Sequence, residues 1–125
     1  MKHAINWFEI PAVDIKRAQK FYEQIFDFEM QPIEVGDGLE MAMFPGEPEG
    51  VSGTIIKSED SYKPSETHGP LLYLNANPDL QHVLNRVEKS GGRILISKRL
   101  INEENGYMAV IVDSEGNRIA LHSFE

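Results

Sequence analysis

Apolar residues recur on two periods along the chain. Ala18, Phe21, Tyr22, Ile25 and Phe26 fall at i, i+3, i+4, i+7 and i+8, the spacing that draws one apolar stripe down an α-helix. Asp14 precedes the stripe, where its carboxylate can accept an unpaired N–H of the first turn. Leu80, Val83, Leu84 and Val87 repeat the spacing. Here Asn77 can cap, Pro78 can take the first helical position, and Gly91-Gly92 can end the helix in a left-handed turn. Between these stripes the pattern shortens to strand-like runs. They cover 5–10, 29–35, 39–44 and 51–57 in the first half, and 71–75, 93–97, 107–112 and 117–123 in the second. Turn-forming clusters separate them, among them Gly36-Asp37-Gly38, Pro45-Gly46 and Asp113-Ser114-Glu115-Gly116-Asn117.

The predicted order is therefore β-α-β-β-β, twice. Asp14 and Asp79 are 65 residues apart, as are Ala18 and Val83, Tyr22 and Val87, and Glu23 and Glu88. Gly38-Leu39 and Gly106-Tyr107 match at 68, so one loop differs by three residues. Such a period is too long for a solenoid unit. It predicts a single α+β domain over 1–125, built of two half-domains at about 1–57 and 70–125 and joined by the polar linker 58–69.

Composition narrows the class further. A chain of 125 residues with 41% hydrophobic and 26% charged residues can hold one core without staples. It has no cysteine, which excludes a disulfide framework, a thiolate metal site and a cysteine nucleophile. Twelve Lys and Arg against 20 Asp and Glu give a net charge of -8, which would repel a phosphate backbone, so no nucleic-acid partner is expected. No apolar run approaches the ~20 residues that span a bilayer, and no secretory h-region is visible, so no membrane partner and a cytoplasmic location are expected.

Several segments together resemble the vicinal-oxygen-chelate superfamily of glyoxalase I, bleomycin-resistance proteins and extradiol dioxygenases. They are Asn6-Trp7-Phe8-Glu9-Ile10-Pro11 with Asp14 and Arg17 to Tyr22; Leu72 to Asn75 with Arg86-Val87-Glu88 and Gly91-Gly92; and Asp113 to Leu121. The resemblance implies paired βαβββ modules whose sheets curve into a cup. It also implies, in metal-using members, His or Glu ligands from the first and last strand of each module. The first ligand position lies seven before Asp14, at Trp7, and the last lies seven after Asp113, at Ala120. In the second module it falls on Leu71 or Leu72, and the strand 51–57 contains no His, Asp or Glu. A divalent cation needs several imidazole or carboxylate donors at about 2 Å, so no metal and no cofactor are expected. The four histidines, His3, His68, His82 and His122, show no paired metal-binding spacing. His3 and His82 read as surface residues, while His68 and His122 can line a pocket.

Strand alternation then places Ile5, Trp7 and Glu9 on the cup face if Trp7 faces inward, with Phe8 and Ile10 under the helix. Arg118, Ala120 and His122 share the cup face on the last strand. In the second module either Leu71 and Tyr73 or Leu72 and Leu74 point inward. The candidate ligand-binding cup is Trp7, Glu9, Tyr73, Arg118, Ala120 and His122, with Tyr107 at a rim. Trp7 is either a stacking wall or a plug in a vestigial site. Glu9 either pairs with Arg118 or His122 or contacts a cationic or hydroxyl-bearing ligand, and a Glu–His pair could serve as base and acid. Asp113 and Gly116 read as a turn, and Met30, Met41, Met43 and Met108 as strand-borne core filler. Three functions fit. The leading one is a metal-independent binder of a small, cationic or aromatic molecule; the others are a metal-free lyase, isomerase or transferase and a non-catalytic scaffold with a self-filled cup. Open sheet edges and an apolar lining make a homodimer the expected assembly.

Overall fold

The computed structural model describes residues 2–34, 36 and 38–125. The first helix, α1 (Ile15–Phe26), forms where the stripe predicts it and buries Ala18, Phe21, Tyr22 and Ile25. Asp14 caps it from an extended conformation and accepts the Arg17 N–H at 3.1 Å. Asp27 closes it in the left-handed region at φ 55°. The second, α2 (Leu80–Val87), buries Leu80, Val83, Leu84 and Val87 and runs on as a short 3-10 turn to Gly91, which is left-handed at φ 105°.

The cap of α2 differs from expectation. Asp79, not Asn77, has the extended cap conformation and accepts the Gln81 N–H at 2.9 Å. The Asn77 side chain is engaged elsewhere: its amide donates to Asn75 and its carbonyl accepts the Phe124 N–H at 2.9 Å. Pro78 consequently precedes the cap instead of opening the helix, and the Asn77–Pro78 bond is cis.

The strands are β1 (Trp7–Pro11), β2 (Gln31–Glu34), β3 (Glu40–Met43), β4 (Ser52–Lys57), β5 (Tyr73–Asn75), β6 (Arg93–Asn102), β7 (Gly106–Val112) and β8 (Arg118–Ser123). They make two four-stranded mixed sheets, β1-β4-β3-β2 and β5-β8-β7-β6. In each the first strand lies parallel to the fourth, and the other pairs are antiparallel. The fold is α+β, one helix and one sheet repeated. Strand β6 extends well past the predicted 93–97 and carries bulges against β7. Val35 and Asp37, placed in a strand and a turn by the sequence pattern, lie outside the described residues.

One core joins the two halves. Ile10, Ile55, Phe21, Tyr22 and Ile25 from the first half pack with Leu80, Val87, Ile111 and Leu121 from the second, all at most 2% exposed. Close approach has a residue-level cause at Gly53, where a Cβ would lie 2.5 Å from the Phe8 ring and against the Phe8 carbonyl. The missing side chain lets β4 seat against β1. A smaller cluster of Met108, Val110 and Ala120, with Leu71 and Ile96, sits apart from this core. The methionines divide: Met30 and Met108 are buried, Met41 and Met43 half-buried.

The turn between β7 and β8 does more than reverse the chain. Asp113 is buried and accepts the Tyr22 hydroxyl at 2.5 Å, the Asn117 side chain at 2.9 Å, and the N–H groups of Glu115 and Asn117. Glu115, also buried, accepts the N–H groups of Val13 at 2.8 Å and Asp14 at 2.7 Å, and a two-pronged contact from Arg17. Asn117 donates to the Pro11 carbonyl at 2.7 Å. The second half thus grips the start of α1 in the first. Burial pushes the Asp113 carboxyl above its ordinary range, against the donors that would lower it. For Glu115 burial acts upward too, but the Arg17 guanidinium and the facing N–H groups outweigh it and hold the group below its ordinary range.

Candidate functional site

Strands β1 and β5 each lie at an edge of their sheets; one cavity opens between them and a second opens beside β1. The smaller, about 470 Å³, is lined by β1, by the first residues of β8 and by linker residues 63–70. The larger, about 710 Å³, is walled by Phe8, Phe26, Phe28 and Phe44 against Leu71 to Asn75. Ile5, Phe8 and Leu72 belong to both linings, so the two spaces share a wall.

Alternation along β1 sends Phe8 and Ile10 into the main core, which leaves Trp7 and Glu9 on the other face. The register sets Trp7 beside Ser52 and Glu9 beside Thr54. On β5 and the residues before it, Leu72 and Leu74 pack on the main core, whereas Leu71 packs on the smaller cluster and Tyr73 lies opposite Ala120. Of the two registers left open by the sequence, Leu71 with Tyr73 is the one realised.

The predicted cup residues do not all meet. Trp7, Glu9 and Arg118 line the smaller cavity, together with His68 and Lys63. Trp7 is 44% exposed and lines this cavity. Tyr73 lines the larger cavity and is exposed. Ala120 is fully buried beneath Met108 and Val110. His122 turns its Nε2 to the Asn105 carbonyl at 2.5 Å and meets the Phe124 ring edge-on. Tyr107 packs on the main core with Lys98 over its ring, 4.4 Å from the centroid. It shares the helix-facing side with Ala109 and Ile111, one residue out of phase with Met108 and Val110, and so is not at the rim.

Glu9 pairs with neither Arg118 nor His122. It accepts the Tyr62 hydroxyl at 2.5 Å, and this contact raises the Tyr62 phenol above its ordinary value. Arg118 donates from Nη2 to the Gly69 carbonyl at 3.1 Å. Its Nε is buried without a hydrogen-bond partner among the described residues, as is Thr54 Oγ1. Tyr62, Lys63 and Ser65 are the residues that sequence reasoning misses, because the polar run 58–69 reads as a joint alone. One signal is present: Tyr62 is the single Phe, Tyr or Trp in that run, and an isolated aromatic ring gains by packing.

A metal does not fit the inherited positions. Trp7, Ala120 and either Leu71 or Leu72 offer indole, methyl and isobutyl groups, and β4 carries no His, Asp or Glu; these make no donor set for a divalent cation. Among the described residues no three His, Asp or Glu side chains converge into a metal-binding group.

The family model for the Glyoxalase/Bleomycin resistance protein/Dioxygenase superfamily matches residues 4–121. The chain belongs to this superfamily. A "Glyoxylase-like domain-containing protein" of Didymella fabae is 31% identical over 121 residues, covering 94% of this chain and 91% of that protein. Among solved structures, a glyoxylase/bleomycin resistance protein/dioxygenase domain from Frankia sp. EAN1pec aligns over the full length of both chains with a TM-score of 0.72 at 14% identity. A V278E mutant of glyoxalase I from Zea mays aligns with a TM-score of 0.73 at 19% identity, over 94% of this chain and 45% of that one. This superfamily chain thus spans about half the length of the maize enzyme, and at these identities the structural likeness establishes the fold alone. No helix among the described residues is long and apolar enough to cross a membrane.

Proposed function

We propose that this superfamily member binds a small organic molecule in the cleft between β1, the linker and the start of β8, without a metal ion. The observation that carries the reading is the open cavity of about 470 Å³ beside Trp7, within the ~300–1,000 Å³ range of small-molecule sites. Its lining is mostly apolar, with an aromatic wall and a few polar groups, the usual construction of such a site. The absence of a donor set at the inherited ligand positions supports metal independence. Room beside a half-exposed Trp7 favours a binding wall over a self-filled cup.

The test combines metal and ligand arms. Protein titrated with Ni²⁺, Zn²⁺ and Mn²⁺ should retain no stoichiometric metal after desalting; one tightly held ion per chain would overturn metal independence. A broad thermal-shift library should give compounds that raise the melting temperature and change Trp7 fluorescence. Silence across the library would return the cleft to a purely structural role.

We further propose that the working form is a homodimer. Support comes from β6, an edge strand with Leu95, Leu100 and Ile101 exposed, the kind of edge that a second copy covers. Light scattering at micromolar concentration should give twice the chain mass.

A further inference from the structure

We infer that the smaller cavity takes an organic anion, a carboxylate carried on a flat apolar body. The inference rests on the binding role proposed above and names the ligand class. Lys63, His68 and Arg118 line this cavity against a single acidic side chain, Glu9. Glu9 already accepts the Tyr62 hydroxyl, which spends part of its acceptor capacity on the protein itself. Neither cation, Lys63 nor Arg118, has a carboxylate partner: none of the four ion pairs among the described residues involves them. A chain of net charge -8 has set two cationic side chains against one carboxylate at one concave place, against the trend of its composition.

Arg118 carries the sharpest signal. Its Nη2 is anchored to the Gly69 carbonyl, while its Nε is withdrawn from water with no acceptor among the described residues. A buried donor on a cation is costly when unpaired, and such groups in native proteins call for an explanation. The Nε itself is shut off from the cavity, but a guanidinium held in its lining lacks a carboxylate partner, and a ligand carboxylate supplies one through charge-assisted bonds to a planar donor that suits two oxygens. Beside these charges the walls are Trp7, Ile10, Leu72 and Ile119, which fit an aromatic or other flat apolar group. This reverses the cationic preference expected from the acidic composition and Glu9.

Trp7 is the only tryptophan, so its fluorescence reports this cavity. The intact protein is titrated at neutral pH with phenylacetate, phenylacetamide and phenethylamine, three probes of one ring and one size that differ in charge. Phenylacetate should quench or shift Trp7 saturably and bind about tenfold tighter than the amide, with the amine weakest. Lys63→Gln and Arg118→Gln should each weaken phenylacetate about tenfold and leave the amide unchanged. Lys63 is exposed, so its variant keeps the test decisive if the Arg118 variant fails to fold. Tighter binding of the amide or amine, or unaltered phenylacetate affinity in the Lys63 variant, overturns the anion inference and leaves the binding role standing. A thermal-shift library that yields only neutral or cationic compounds overturns it in the same way. If neither these probes nor any library compound perturbs Trp7, the binding role falls with it.

Discussion

Asp113 and Glu115 sit two residues apart in one turn, yet their surroundings drive their acidities in opposite directions. Asp113 is raised by burial. The folded chain therefore holds its proton more readily than the unfolded chain, and its contribution to stability is full at low pH and is lost as pH rises through its folded value. Glu115 is held low by Arg17 and the α1 N–H groups despite burial. Its contribution is present above its ordinary value of 4.5 and is lost as pH falls through the folded one. Glu115→Gln should therefore cost about 1–3 kcal/mol at neutral pH and flatten the acid side of the stability profile, as read by urea unfolding from pH 7 to 3. Tyr22→Phe removes the hydroxyl that Asp113 accepts at 2.5 Å. It should cost about 1–2 kcal/mol and push the Asp113 carboxyl still higher, which carbon-detected NMR titration would follow. An Asp113 resonance that does not move would show that the hydroxyl contact contributes little.

Among the elements, the two helix caps show how a repeat carries information that a local pattern loses. Asn77-Pro78 looks like a cap followed by a first-turn proline, but Asp79 stands 65 residues after Asp14 and both aspartates cap their helices. Asp79 also receives Lys98 from β6 at 2.8 Å, which holds its carboxyl below the ordinary range together with the Gln81 N–H. Asp79→Ala should accordingly loosen both α2 and its hold on β6. Faster amide exchange in the first turn of α2 and around Lys98 is the expected result; exchange unchanged at Lys98 would mean that the ion pair is incidental. At the β1–β4 seam, Gly53→Ala would place a Cβ against the Phe8 backbone and ring. The collision should cost about 1–3 kcal/mol, measured by urea unfolding, because a backbone carbonyl in a sheet cannot swing aside as a surface side chain can.

For the molecule as a whole, the shared core and the closing turn predict one cooperative unit. Phe21, Tyr22 and Ile25 pack with Leu80, Val87 and Leu121, and the polar network from Asp113 to Asn117 crosses between the same halves. Urea unfolding followed by Trp7 fluorescence, which reports the first half, should coincide with far-UV circular dichroism, which reports both. Separated midpoints would show that the two sheets unfold independently despite the common core. The cleft depends on this same joining of halves, since its walls come from β1, the linker and β8.

The duplicated order of elements, both helices and their buried faces were legible in the sequence, because the apolar period is local and every turn of a helix must satisfy it. What the tertiary structure decided is which side chains meet. Glu9 found Tyr62 instead of Arg118 or His122, Tyr107 turned to the core, and the linker became a wall of the cavity. Those contacts join residues up to about a hundred positions apart, as with Val13 and Glu115. No period or motif encodes them; they follow from how two sheets and the segment between them share one space.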